Sequence, residues 1–201
     1  MSIDALLAYF ENWTGRASIA KHCLQFADNG ALGLFDKLCL SSVFQPIFSV
    51  EGGAPCAFEA LLRVRDDDGH SISPVDAFKI PESAKEIVYF DRLCRMIHEV
   101  NFVTHAGRAE GKLFLNVDAR HLTSVQSGAH GAAFEALLRY AGLSPQHVVL
   151  EILESGVEDF DLLQDAVRAY QQRGFEVALD DFGSQASNFD RLWRLSPNIV
   201  K

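Results

Sequence analysis

The chain has 201 residues, 48% of them hydrophobic and 22% charged, which suits one packed globular domain with a short extension and excludes disorder as its main character. A formal net charge of -9, from 18 basic and 27 acidic residues, argues against adhesion to DNA, RNA or anionic lipid. An anionic ligand would therefore need cations gathered locally.

Residues 1–40 read as a helical N-terminal extension. Helical patterns over residues 3–13 and 17–26 are parted by Gly15 and followed by Asn29-Gly30 and Gly33. This segment has no basic leader and never reaches the roughly 18 apolar residues of a membrane span, so a cytoplasmic address without a span is expected. Residues 41–201 follow a different period and form the main domain. Two strand-like runs, 43–50 and 56–62, are broken by Glu51-Gly52-Gly53 and form a hairpin-like pair. A long helical stretch follows Pro74 to about residue 105. Then strands at 112–117, 148–152, 176–180 and 199–201 alternate with helices at 132–141, 159–173 and 188–195. That alternation predicts parallel βα units, with Gly174 and Pro197 marking two helix ends. Four cysteines (Cys23, Cys39, Cys56, Cys94) lie far apart with no C-x-x-C pair, so reduced, mostly buried thiols are expected.

Polar groups recur where these apolar strands end, the place at which parallel sheets and barrels set their active sites. Glu59, Asn116, Glu151 and the adjacent Asp180 and Asp181 make an all-oxygen set, better matched to Mg²⁺ or Mn²⁺ than to zinc. Adjacent Asp180 and Asp181 could each serve one of two metals about 4 Å apart, an arrangement that clamps the attacking water and the leaving oxygen of a phosphodiester. Singly, each carboxylate could equally cap the next helix. As a set they would repel one another without cations. The histidines and the Asp66-Asp67-Asp68-Gly69 run read as ordinary surface or partly buried groups.

The ordered runs Phe44-Gln45-Pro46-Ile47, Phe58-Glu59-Ala60-Leu61-Leu62-Arg63, Leu115-Asn116-Val117, Leu150-Glu151-Ile152-Leu153-Glu154 and Ala178-Leu179-Asp180-Asp181-Phe182-Gly183-Ser184 resemble the motifs of the EAL domain family. The resemblance implies an α/β fold: a TIM-type (β/α) barrel with an antiparallel first strand. It also implies metal-dependent hydrolysis of cyclic di-GMP to linear pGpG with Mg²⁺ or Mn²⁺ in a two-metal site. By the same resemblance, Glu59, Asn116, Glu151, Asp180 and Asp181 are metal ligands and Gln45, Leu61 and Arg63 are nucleotide contacts. Glu154 steadies the loop after the Asp-Asp strand, and Lys201 orients water or phosphate.

Two departures stand out. The family's Ser/Thr-Gly-Tyr-Ser loop reads Ser184-Gln185-Ala186-Ser187 here, and Val64 replaces a common Trp, removing an expected stacking surface. About 160 residues follow Ser42, fewer than an eight-strand barrel needs, so an incomplete barrel of about six strands is expected. Its open edge would call for cover by the N-terminal segment, a homodimer or a partner protein. The alternative reading is a catalytically degenerate domain, acting as a cyclic di-GMP receptor or a protein-interaction module.

Overall fold

In the computed structural model, residues 23–27, 30–106, 111–124, 131–153, 159–180 and 189–201 are described. Strands β1 (Cys23–Ala27), β2 (Gly30–Phe35), β3 (Leu38–Ile47) and β4 (Ala57–Arg65) pair in antiparallel succession. β5 (Ser71–Ile72) pairs antiparallel with β4. β6 (Lys112–Val117), β7 (Val148–Leu153), β8 (Glu176–Asp180) and β9 (Ile199–Val200) then add in parallel, beginning on β4. The result is a nine-stranded sheet in the order β1-β2-β3-β4-β6-β7-β8-β9, with β5 off that path. Among the described residues β9 and β3 do not pair, so the barrel wall stays open, as expected for an incomplete barrel.

The first hairpin corrects the sequence reading. A helix was expected through residue 26, yet Cys23–Ala27 is a strand, paired residue for residue with Gly30–Leu34. A short run such as Cys-Leu-Gln-Phe-Ala satisfies either period, and its tertiary partner decides. The expected 1–40 helical extension also gives way to strand in β2 and the start of β3, while its residues 1–22 and 28–29 lie outside the described residues.

The helices are α1 (Pro74–Ala77), α2 (Ala84–Ala106), α3 (Ala119–Ser124), α4 (Ala132–Ala141), α5 (Phe160–Gln172) and α6 (Phe189–Leu195). The single helix expected from Pro74 onward is therefore two. Pro81 lacks the N–H that helix continuation requires, and Ser83 and Glu86 start α2 as a reciprocal cap. The Ser83 backbone donates to Glu86 Oε2 at 3.1 Å, and the Glu86 backbone donates to Ser83 Oγ at 3.2 Å. Asp159 caps α5 by accepting from the Asp161 and Leu162 backbones. Gly142, at φ 83°, closes α4.

Strand alternation sorts side chains onto two faces. Ala60, Leu62, Val64, Leu113, Leu115, Leu150, Ile152, Val177 and Leu179 face outward into the main core, together with Leu93 and Ile97 of α2. The opposite face carries a smaller apolar cluster of Ala57, Phe114, Val149 and Ala178, flanked by Ile47 and Ile199. That inner cluster is the floor of the barrel. Val64 is 1% exposed in the outer core, so a residue there offers no stacking surface at the mouth, and the expected loss does not arise.

Candidate active site

Counting in twos from the floor residues places every described site candidate on the inner face. Glu59 and Leu61 follow Ala57, Asn116 follows Phe114, Glu151 follows Val149, Asp180 follows Ala178, and Lys201 follows Ile199. Arg63 continues the β4 series. Gln45, two before Ile47 on antiparallel β3, is the Cα partner of Glu59. Asn116 is likewise paired with Glu151 across β6 and β7.

Lys201 joins three of these strands. Its Nζ donates to Glu59 Oε2 at 2.9 Å and to Glu151 Oε1 at 2.5 Å, and lies 3.8 Å from Asp180 Oδ1. The Lys201 backbone N–H donates to Leu179 O at 2.9 Å, holding the residue beside β8. Below the ammonium, the Phe114 ring centroid is 6.0 Å away. The Glu151 side chain is 0% exposed. Burial pushes its carboxyl up to about 7, with the charges of Glu59 and Asp180 adding and the Lys201 hydrogen bond opposing. Burial would pull the Lys201 ammonium down, but its hydrogen bonds to Glu151 and Glu59 outweigh that and hold it above the ordinary lysine range.

Oxygen chemistry and charge make this mouth fit a divalent cation. Glu151 Oε2 is buried and has no hydrogen-bond partner among the described residues, which is the environment of a donor oxygen awaiting a positive charge. Three carboxylates face one ammonium, leaving negative charge uncompensated. Asn116 could add a neutral oxygen. Leu61 is half-buried, whereas Gln45 and Arg63 are exposed, and Arg63 Nη1 donates to the neighbouring Leu62 carbonyl at 3.0 Å. Glu154, Asp181 and the Ser184-Gln185-Ala186-Ser187 loop lie outside the described residues.

Residues 34–201 match the EAL domain family. The chain belongs to the EAL domain family. It is 32% identical over 165 residues to the uncharacterized EAL-domain containing protein YkuI of Bacillus subtilis (strain 168), covering 79% of this chain and 38% of YkuI. The crystal structure of YkuI in complex with substrate c-di-GMP and calcium is similar at TM-score 0.64 and 25% identity, over 80% of this chain and 40% of that one. Escherichia coli (strain K12) PdeA, a probable cyclic di-GMP phosphodiesterase, is 35% identical over 101 residues, 49% of this chain and 13% of PdeA. The manganese/cy-diGMP complex of Klebsiella pneumoniae BlrP1 shares the fold at TM-score 0.65 and 23% identity, over 90% of this chain and 42% of that chain. This EAL chain thus spans less than half the length of each of these relatives.

Sequence reasoning missed a polar cluster behind the mouth. Asp91, Arg95, His121 and Tyr170 are all at most 2% exposed. The Arg95 guanidinium donates to Asp91, donates to Tyr170 OH at 3.1 Å, and lies 2.8 Å from His121 Nε2. Asp91 Oδ1 accepts the Asp118 backbone N–H at 3.1 Å, two residues past Asn116. The i,i+4 spacing of Asp91 and Arg95 was the one local signal available.

Proposed function

We propose that this EAL domain hydrolyses one phosphodiester bond of cyclic di-GMP, giving linear pGpG, with Mg²⁺ or Mn²⁺ held at the barrel mouth. The reading rests on one observation above all: Glu59, Glu151 and Asp180, from three strands, converge on Lys201 at the mouth of an EAL-type barrel. Glu59, Asn116, Glu151 and Asp180 would hold a first cation, and Asp181 would reach a second. When bound, the cations supply charge neutralisation at the phosphate and a more acidic water.

The chain's own residues orient the substrate. Lys201 puts positive charge where negative charge builds up on the phosphoryl oxygens. Gln45, Leu61 and Arg63 line the β3–β4 side of the same face and contact the nucleotide, while Glu154 steadies the loop that follows β8. In the net reaction, water gives its hydroxyl to phosphorus, the P–O3′ bond breaks, and the 3′ oxygen takes the proton. This chemistry acts on a dissolved cytoplasmic messenger and calls on no DNA or RNA. We also infer that a second copy or a partner protein packs on the edge between β9 and β3, which is unpaired among the described residues.

The test is to incubate the purified protein with cyclic di-GMP and Mn²⁺, pass it through a spin filter and identify the nucleotide on each side by chromatography. Linear pGpG is the expected product. Intact dinucleotide retained with the protein would instead mean a receptor, and intact dinucleotide in the flow-through would overturn both readings in favour of a protein-interaction module.

A further inference from the structure

The Lys201 ammonium stands in the space that a cation at this mouth would claim. It faces oxygens from β4, β7 and β8 at 2.9, 2.5 and 3.8 Å, and an ammonium has three N–H donors to offer. Around it the three carboxylates are held apart. Among the described residues, the one trio of His, Cys, Asp or Glu whose ligand atoms all lie within 4.8 Å of one another is Asp66, Asp68 and His70, on the exposed turn between β4 and β5. Oxygens bound to one Mg²⁺ at roughly 2.1 Å lie no more than about 4.2 Å apart. Glu59, Glu151 and Asp180 must therefore draw together to share an ion, and the ammonium between them must leave.

We propose that Lys201 is a resident counter-ion that competes with the divalent cation, so that cation entry is an exchange of one positive group for another. The inference rests on the metal-dependent reading above and adds a regulation of that site. In the metal-free protein the ammonium offsets repulsion among three carboxylates in a partly buried mouth, which keeps the ligands gathered before any ion arrives. The same contacts weaken the ion's apparent affinity, because they are broken when it binds. No covalent bond changes. Lys201 keeps its proton, so among the three carboxylates one unit of positive charge gives way to the ion's two.

Replacing Lys201 should therefore tighten metal binding even though it removes a group useful for turnover. Mn²⁺ affinity is measured directly by the electron paramagnetic resonance of free Mn²⁺, without nucleotide, on the wild-type protein, Lys201→Met and Lys201→Arg. Lys201→Met is expected to bind Mn²⁺ about tenfold or more tightly, the scale of losing one unit charge a few ångströms from the ion. Lys201→Arg, which keeps the charge, should stay near wild type. Thermal melts give a second readout: in EDTA Lys201→Met melts below wild type, and Mn²⁺ raises its melting temperature by more than it raises that of wild type. If the methionine variant does not fold, Lys201→Gln keeps a donor for Glu151, drops the charge and answers the same question. Equal or weaker Mn²⁺ binding by a folded neutral variant overturns the exchange and leaves the metal site standing. Absence of Mn²⁺ binding by every protein, wild type included, overturns the metal site itself.

Discussion

Glu99 of α2 is 1% exposed, and neither of its carboxylate oxygens has a hydrogen-bond partner among the described residues. Burial alone pushes its carboxyl up from 4.5 to about 8. The folded protein thus keeps a proton there that the unfolded chain gives up, so stability is full below the unfolded value and falls as pH rises between about 4.5 and 8. Glu99→Gln should remove that slope: little change at pH 5, and a gain on the order of a few kcal/mol at pH 8.5, read from urea unfolding at both values. A slope unchanged in the variant would show that Glu99 is not its source. Neighbouring His98, buried and 2.7 Å from Ser42 Oγ, runs the other way. Burial lowers it from 6.5 to about 4, so its contribution is lost as pH falls through that interval. At the mouth, Asp180→Asn keeps the shape of the side chain and removes the charge. On the proposed function, turnover should fall about a thousandfold or more in kcat/KM with the melting temperature little changed, because the lost carboxylate would act on the reacting phosphate through the cation and not on the core. Unaltered turnover would remove Asp180 from the cation site.

Between elements, the Asp91–Arg95–His121–Tyr170 cluster ties α2 to α3 and α5 and, through the Asp118 backbone, to the end of β6. Arg95 also lies 5.0 Å over the Phe134 ring of α4. Asp91→Ala strands a buried guanidinium and should cost about 3–5 kcal/mol. Tyr170→Phe deletes one hydroxyl and should cost about 1 kcal/mol. Denaturant melts that rank the two in the opposite order would place the weight of the cluster on the tyrosine. None of this was legible in the chain, since the members come from residues 91 to 170 and only the i,i+4 pair on α2 leaves a local trace. The inner-face residues, by contrast, could be read because a strand's period of two carries Phe114 to Asn116, Val149 to Glu151 and Ala178 to Asp180 without any knowledge of the partner strands. β1 fails for the complementary reason: five residues do not separate a period of 2 from one of 3.6, and pairing with β2 settles the matter. The six-residue α3 has too few turns to show a pattern, and only the fold reveals that it delivers His121 to Arg95.

Across the whole molecule the charge is wrong for the proposed ligand. The chain carries a formal net -9, and at the mouth three carboxylates stand against Lys201. A dinucleotide with two phosphate charges is repelled by such a field unless cations reverse it locally. Arg63 is on the right face but exposed, with its guanidinium on the Leu62 carbonyl, so it offers little screening as it stands. Nucleotide affinity should therefore depend on the divalent ion even where cleavage is not being scored. Ca²⁺, the ion with the substrate in the YkuI complex, provides a comparison independent of Mn²⁺. In calorimetric titrations of cyclic di-GMP, affinity with Ca²⁺ or Mn²⁺ should exceed that in EDTA by about tenfold or more, roughly 1.4 kcal/mol. It should also fall as monovalent salt screens the site. Equal affinity in EDTA would place recognition on the protein's own cations and apolar contacts, with Arg63 and Leu61 the first to replace.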